Sequence, residues 1–391
     1  MQNTVKICED LIYLGVNDRR LELFENMFPL TKGVCYNSYL MIDEKTALFD
    51  TVDNAVLNQF VENLEYALDG KKLDYLIVNH MEPDHAATMA DVLIRHPEVI
   101  VVGNVKTFNM MTQFGMAPQN KLVVVQNDIL DLGKHKITFV MAPMVHWPEV
   151  MVSYDMTDKV LFSADAFGTF GALDGRVYAD EYNFDRDWID DARRYFTNIV
   201  GKYGPQAASA LKKVASLEIN TVCPLHGPIW RGESIAYFLE KQMKWSLYQP
   251  ENEDEILLAY ASMYGNTESA VNAVATMLSQ KGKKVTVINI CNTDKSYLIA
   301  QAFRVGTLIL AAPTYNGGVY PAMETLILDM KALNLQNRDV YIIENGTWAP
   351  TAGKKITEVM ASMKNMNVKG TLTIKSSLQS VSDLNKFVDS I

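Results

Sequence analysis

Two imidazoles and two carboxylates fall within six residues in the stretch Asn79-His80-Met81-Glu82-Pro83-Asp84-His85. The spacing is His-x-Glu-x-Asp-His. An apolar run from Leu73 to Val78 precedes it and reads as a short buried strand. Pro83 lacks a backbone donor and disfavours helix, so the stretch reads as a loop able to turn its side chains onto one point. Imidazole nitrogens and carboxylate oxygens converging from one loop could hold a metal ion. The plain alternative is a solvated polar turn.

The rest of the chain favours the metal. There are six histidines, His80, His85, His96, His135, His146 and His226. Three later segments each place a histidine or an aspartate just beyond an apolar run. Ile137 to Met144 leads to His146-Trp147-Pro148, Val160 to Ala164 leads to Asp165, and Ile219 to Leu225 leads to His226-Gly227-Pro228. The repeated pattern is strand, ligand, turn. A sandwich that gathers several strand ends at one edge would bring these side chains together.

The chain has 391 residues, which makes two domains the natural expectation. Apolar residues make up 48%, enough for each domain to bury a core. Net charge is −10, from 36 basic and 46 acidic residues, and basic stretches do not cluster, which argues against a nucleic-acid role. No basic-then-apolar leader opens the sequence and no apolar run is long enough for a membrane span. The four cysteines, Cys8, Cys35, Cys223 and Cys291, show no short paired spacing. A reducing, cytoplasmic setting is the simplest expectation.

Residues 1–250 read as mixed α/β. Strands are expected over Tyr36–Ile42, Thr46–Asp50, Val99–Val102 and Lys121–Val125. Helices are expected over Asn54–Leu68, Ala87–Arg95, Asp185–Val200, Gln206–Leu217 and Ser234–Tyr248. Gln249 to Glu255 is polar and acidic and breaks the periodicity, which marks the expected domain boundary. Residues 251–391 alternate strand and helix, beginning with Ile256–Tyr260 and Thr267–Gln280, as a parallel sheet covered on both faces requires.

Three loops of this second half follow strands, where such sheets bind ligands. Ser262, Met263, Tyr264, Gly265, Asn266 and Thr267 form a hydroxyl-rich turn into a helix start, which suits a phosphate. It is neither a Gly-x-Gly-x-x-Gly nor a Walker loop, and an ordinary capped turn would look similar. Pro313, Thr314, Tyr315, Asn316, Gly317 and Gly318 form the second loop, and Asn345, Gly346, Thr347 and Trp348 the third. Each offers an aromatic ring and flexible backbone, as clasping a flat ring would require.

These motifs together resemble a known family. Residues 251–391 resemble flavodoxin, whose Ser/Thr-x-Thr/Tyr-Gly-Asn-Thr loop binds FMN phosphate. Residues 1–250 resemble the metallo-β-lactamase fold, an αββα sandwich, in the variant carrying His-x-Glu-x-Asp-His. That fusion resembles the flavodiiron proteins (A-type flavoproteins). The likeness spans nearly the whole chain, and with no rubredoxin or flavin-reductase module after Ile391 it is to the two-domain class. The expected fold is therefore that sandwich followed by a flavodoxin-like doubly wound parallel sheet.

The resemblance implies two iron ions and FMN. One iron would be bound by His80, Glu82 and His146, the other by Asp84, His85 and His226, with Asp165 bridging. His85 is the open position, because in some members the matching histidine turns away and water replaces it. Tyr195 resembles a tyrosine near the diiron pocket, though a packed helix aromatic would read the same. The third flavin loop departs from the Tyr-Gly-Trp-like run of many relatives. Hydrolytic relatives of the sandwich carry a second histidine where Glu82 stands and bind zinc. A mixed imidazole and carboxylate set suits redox-active iron better.

The implied activity is reduction of dioxygen to water, of nitric oxide to nitrous oxide, or of both. Two ferrous ions and reduced FMN together supply the four electrons that dioxygen needs. The alternative activity is a metal-dependent hydrolase with a regulatory flavodoxin domain. The implied electron donor is rubredoxin, or more rarely a reduced deazaflavin. Family architecture implies a head-to-tail homodimer or a dimer of dimers, with the flavin of one chain beside the irons of its partner.

Overall fold

The computed structural model describes residues 2–377 and 380–391. The chain divides into two compact units, one of residues Met1–Phe196 and Pro205–Met243, the other of Thr197–Gly204 and Lys244–Ile391. Among the described residues, no helix is long and apolar enough to cross a membrane.

Two sheets form the first unit. The seven-stranded sheet runs Val5–Lys6, Leu11–Tyr13, Tyr39–Met41, Ala47–Phe49, Tyr75–Ile77, Ile100–Gly103, Asn120–Val123 in spatial order. The six-stranded sheet runs Ile129–Asp131, Lys136–Met141, Met151–Asp155, Val160–Phe162, Thr221–Cys223, Trp230–Arg231. The central strands are short and buried on both faces, which is why they read as apolar runs rather than alternating ones. The sheets meet face to face where Phe49 stacks on Phe162 with ring centroids 3.6 Å apart.

Three expected elements take a different form. The run Tyr36–Ile42 is two strands, Val34–Tyr36 and Tyr39–Met41, broken at Asn37 and Ser38. Both are fully buried, and they turn their polar groups onto backbone instead: Asn37 Nδ2 donates to the Pro224 and Gly227 carbonyls, and Ser38 Oγ donates to that of Asp50. The single helix expected over Asp185–Val200 is three segments, Phe184–Asp187, Ile189–Tyr195 and a π-helical turn Phe196–Val200. Pro83 does not keep its stretch a loop. It sits at the first position of a helical turn, Pro83–Ala86, where a missing N–H costs nothing and the proline φ is already helical.

The second unit has a sheet in the order Lys284–Asn289, Asn252–Tyr260, Val305–Tyr315, Arg338–Asn345, Met366–Ile374, all neighbours parallel. In chain order that is second, first, third, fourth, fifth, the flavodoxin-like winding. Side chains alternate across it: Leu257 and Leu310 join one core, Ile256 and Ile309 the other. Part of the acidic boundary segment, Asn252 to Glu255, is already strand. The helix Asn266–Gln280 buries Ala270, Val271, Val274 and Leu278 along one stripe.

Candidate metal centre and flavin pocket

His80, Asp84 and His85 follow the strand Tyr75–Ile77, His146 follows Lys136–Met141, Asp165 follows Val160–Phe162, and His226 follows Thr221–Cys223. All four strand ends lie at one edge of the sandwich, and their side chains form two adjoining groups. The first is His80, Glu82, His146 and Asp165, the second Asp84, His85 and His226. Glu82 Oε2 lies 3.2 Å from His80 Nε2 and 2.9 Å from His146 Nε2. Asp84 Oδ2 lies 3.1 Å from His226 Nε2 and 3.4 Å from His85 Nε2.

Asp165 joins the groups. Its Oδ2 is 3.3 Å from His80 Nε2 and 3.2 Å from His146 Nε2, while its Oδ1 is 3.2 Å from His85 Nε2 and 3.9 Å from His226 Nε2. His85 therefore turns inward, with its Nε2 3.0 Å from that of His226. Ala164 and Phe167, either side of this aspartate, hold positive φ angles of 50° and 68°, a conformation non-glycine residues rarely adopt. Ser163 Oγ donating to the Ala166 carbonyl and the Gly168 N–H donating to that of Asp165 hold the turn.

The ring orientations are set from behind. His80 Nδ1 lies 2.8 Å from Glu149 Oε1, and His226 Nδ1 lies 2.8 Å from the Cys35 carbonyl. A ring that donates from Nδ1 keeps a lone pair on Nε2, which is the ligating form. Gly227, at φ 77°, donates its N–H to Cys35 Sγ, and a Cβ there would stand 2.2 Å from the Thr169 methyl. Asp50 ties down the first loop: its Oδ1 accepts the Asn79 and His80 N–H groups and its Oδ2 accepts Asn79 Nδ2. Burial lifts the Asp50 carboxyl to about 6 even against those bonds.

The electrostatics suit a cation. Burial alone would push His146 down, but the Asp165 and Glu82 carboxylates outweigh it and carry it up to about 9. His80 rises in the same way through Asp165, Glu149 and Glu82, and His226 rises chiefly through Asp84. Burial works against ionisation of Glu82 and Asp165, yet the facing histidines pull both carboxyls below their ordinary values. Both Asp84 carboxylate oxygens and Asp165 Oδ1 are buried without a hydrogen-bond partner. Buried acceptors left without donors are costly unless a cation stands among them. The donor set and these unpaired oxygens fit a pair of metal ions.

Aromatic rings wall the centre. Phe24, Tyr36 and Tyr195 lie 5.4, 5.7 and 5.5 Å from the His226 ring, and Trp147 lies 5.5 Å from that of His80. A cavity of about 450 Å³ opens beside Glu82 and Asp84, bounded by Phe24, Glu25 and Tyr36. Tyr195 is buried, and burial followed by Asp165 and Asp84 drives its hydroxyl pKa well up, so it stays a phenol. The two remaining histidines lie elsewhere: His96 pairs with Glu65, and His135 bridges Asp155 and Asp10.

In the second unit the three loops line one cavity of about 480 Å³. Ser262, Met263, Tyr264, Asn266, Thr267, Pro313, Thr314, Asn316, Gly317, Asn345, Gly346, Thr347 and Trp348 form its wall; Gly265, Tyr315 and Gly318 do not. Gly265 instead turns the first loop at φ 88° and donates its N–H to Ser262 Oγ. Tyr264 and Trp348 stand 91% exposed, rings with a free face. Thr267 Oγ1 accepts a hydrogen bond from Asn345 Nδ2, which links the first and third loops.

Several contributors escaped sequence reading. Ser376 lines the same cavity, and its carbonyl accepts a hydrogen bond from Asn345 Nδ2. Asp50 was legible in principle, being another carboxylate at a strand end. Glu149 lies three residues after His146, but nothing local marks it. The Cys35 carbonyl has no side-chain signature at all.

The profile described as ODP family beta lactamase matches residues 34–227. An anaerobic nitric oxide reductase flavorubredoxin from Aliivibrio salmonicida is 31% identical over 88% of this chain and 70% of its own length. The chain belongs to the flavodiiron proteins. Among solved structures, rubredoxin oxygen:oxidoreductase from Desulfovibrio gigas superposes with a TM-score of 0.91 at 26% identity, covering 99% of this chain and 96% of that one. The flavodiiron protein from Giardia intestinalis gives 0.92 at 23% identity, a likeness of fold. This flavodiiron protein is thus an oxidoreductase whose two domains carry the metallo-β-lactamase-like and flavodoxin-like folds.

Proposed function

We propose that this flavodiiron protein reduces dioxygen to water, nitric oxide to nitrous oxide, or both, at two non-haem irons, with electrons relayed through FMN. The observation that carries the reading is Asp165, whose two oxygens face two separate imidazole and carboxylate groups. His80, Glu82 and His146 would hold one iron and Asp84, His85 and His226 the other, with Asp165 shared. Iron held at these residues would supply electrons at one place, and FMN held by the second unit would replenish them.

This chain's residues do the rest. The carboxylates of Glu82, Asp84 and Asp165 would offset the charge of bound iron and favour its ferric state. Phe24, Tyr36 and Trp147 keep bulk water from the imidazoles and give an apolar approach to a neutral diatomic. Tyr195 packs its ring against His226 and keeps its hydroxyl proton, so it adds no charge beside the metals. In the second unit, Ser262, Thr267 and the N-terminus of Asn266–Gln280 would take the flavin phosphate. Tyr264 and Trp348 would flank the ring, beside the loop segments 313–318 and 345–347.

We assign the diiron chemistry to residues 1–250 and FMN binding to residues 251–391. We assign a cytoplasmic setting, a head-to-tail homodimer or dimer of dimers, and a rubredoxin or reduced deazaflavin as donor. A rubredoxin, itself acidic, would need a local basic patch on this acidic chain.

Anaerobic reduction of iron- and FMN-loaded protein, followed by separate exposure to each gas, tests the activity. Fast reoxidation with water or nitrous oxide as product is expected. Protein that loads zinc, carries no flavin and hydrolyses an ester or thioester would establish the hydrolase instead.

A further inference from the structure

The inner donors of the two metal positions match one for one. Each position has two histidines, one carboxylate of its own and a share of Asp165. The difference lies behind the imidazoles. In the first group His80 Nδ1 meets a carboxylate, Glu149 Oε1, at 2.8 Å. In the second, His226 Nδ1 meets the neutral Cys35 carbonyl at 2.8 Å, and His85 Nδ1 is buried with no hydrogen-bond partner.

Glu149 is a carboxylate whose burial calls for positive charge nearby. Its side chain is fully buried. Oε1 accepts the Met81 N–H at 2.9 Å as well as facing His80, and Oε2 has no hydrogen-bond partner. A carboxylate so enclosed is expensive unless positive charge lies close by. A metal held by His80 Nε2 would supply that charge, and the buried surroundings would screen it weakly. Pulling on the Nδ1 proton makes Nε2 the more basic donor.

We propose that Glu149 is a positioning residue that makes the two irons unequal. Through His80 it strengthens the first position, which binds its metal more tightly and holds the ferric state at lower potential than the second. This rests on the diiron reading above, which the same experiment separates from it.

Iron-57-loaded protein, wild type and E149Q, is compared by Mössbauer spectroscopy, redox titration and chelator competition. Wild-type protein should show two distinct irons. E149Q should weaken one by about 10–100-fold, the usual effect of losing an outer partner. It should also raise the potential of that iron and shift its quadrupole doublet, leaving the other iron and the FMN content unchanged. Both irons moving together, or neither moving, would overturn the proposal. Should E149Q fail to fold, wild-type protein decides by itself: two irons alike in affinity and potential sink the inference. A protein that takes up no iron sinks the diiron reading instead.

Discussion

Asp165 is the residue on which the two-metal proposal turns, because one of its oxygens faces each group. Asp165→Ala should therefore lower iron affinity at both positions by more than the roughly 10–100-fold that an outer-shell loss costs. Flavin should stay bound. Metal analysis beside flavin absorbance checks this, and normal iron content would contradict the bridging role. Thr267 occupies the corresponding place in the second unit, buried at the start of a helix with its hydroxyl tied to Asn345. Thr267→Val removes a hydroxyl partner to a charged phosphate, worth about 1.5–3 kcal/mol. FMN affinity should drop by about tenfold or more, read by flavin fluorescence titration, with iron untouched.

Elements matter here through what their ends carry. Lys136–Met141 and Met151–Asp155 deliver His146 at the metal edge, and their other ends carry a polar clamp. There His135 Nδ1 faces Asp155 Oδ2 at 3.0 Å and its Nε2 faces Asp10 Oδ2 at 3.1 Å, while its N–H donates to Asp43. Lys134 Nζ also donates to Asp10, and Asp158 adds negative charge nearby. Burial would lower the His135 pKa, but Asp10 and Asp155 raise it above its ordinary value of 6.5. A folded pKa above the unfolded one means that the folded state binds this proton more tightly. The stabilisation is then complete below the unfolded value and is lost as pH climbs through the raised one. Urea unfolding across that window should show stability declining with pH in the wild type. His135→Gln should be less stable at the acid end and should lack that component of the slope. Parallel slopes for the two proteins would rule the clamp out.

The whole molecule has two compact units with separate cores and separate binding cavities. Ligand linkage should then act on each unit independently. Free FMN at about a hundred times its dissociation constant should stabilise the flavodoxin-like unit by about 2.7 kcal/mol. Removing iron with a chelator should lower only the transition of the other unit. Calorimetry of the four states, with and without each cofactor, measures both. A single transition shifted equally by either cofactor would show the units to be coupled.

The chemistry of the site was legible because it is local in type and repeated in setting. His80 to His85 cluster in sequence, and His146, Asp165 and His226 each follow an apolar strand. The alternation after residue 255 likewise betrays a parallel sheet without any three-dimensional knowledge. Local cues misled where burial overrode them. Asn37 and Ser38 break a strand because their polar groups find buried carbonyls from distant segments, and Pro83 opens a helical turn rather than preventing one. The sequence by itself determined which side chains could hold metal and flavin and in what order they come. Only the tertiary structure decided that His85 turns inward, that Asp165 faces both groups, and that Glu149 stands behind one and a backbone carbonyl behind the other. Those outcomes depend on which strand ends become neighbours, and hydrogen bonds reaching across 69 or 191 residues leave no local pattern to read.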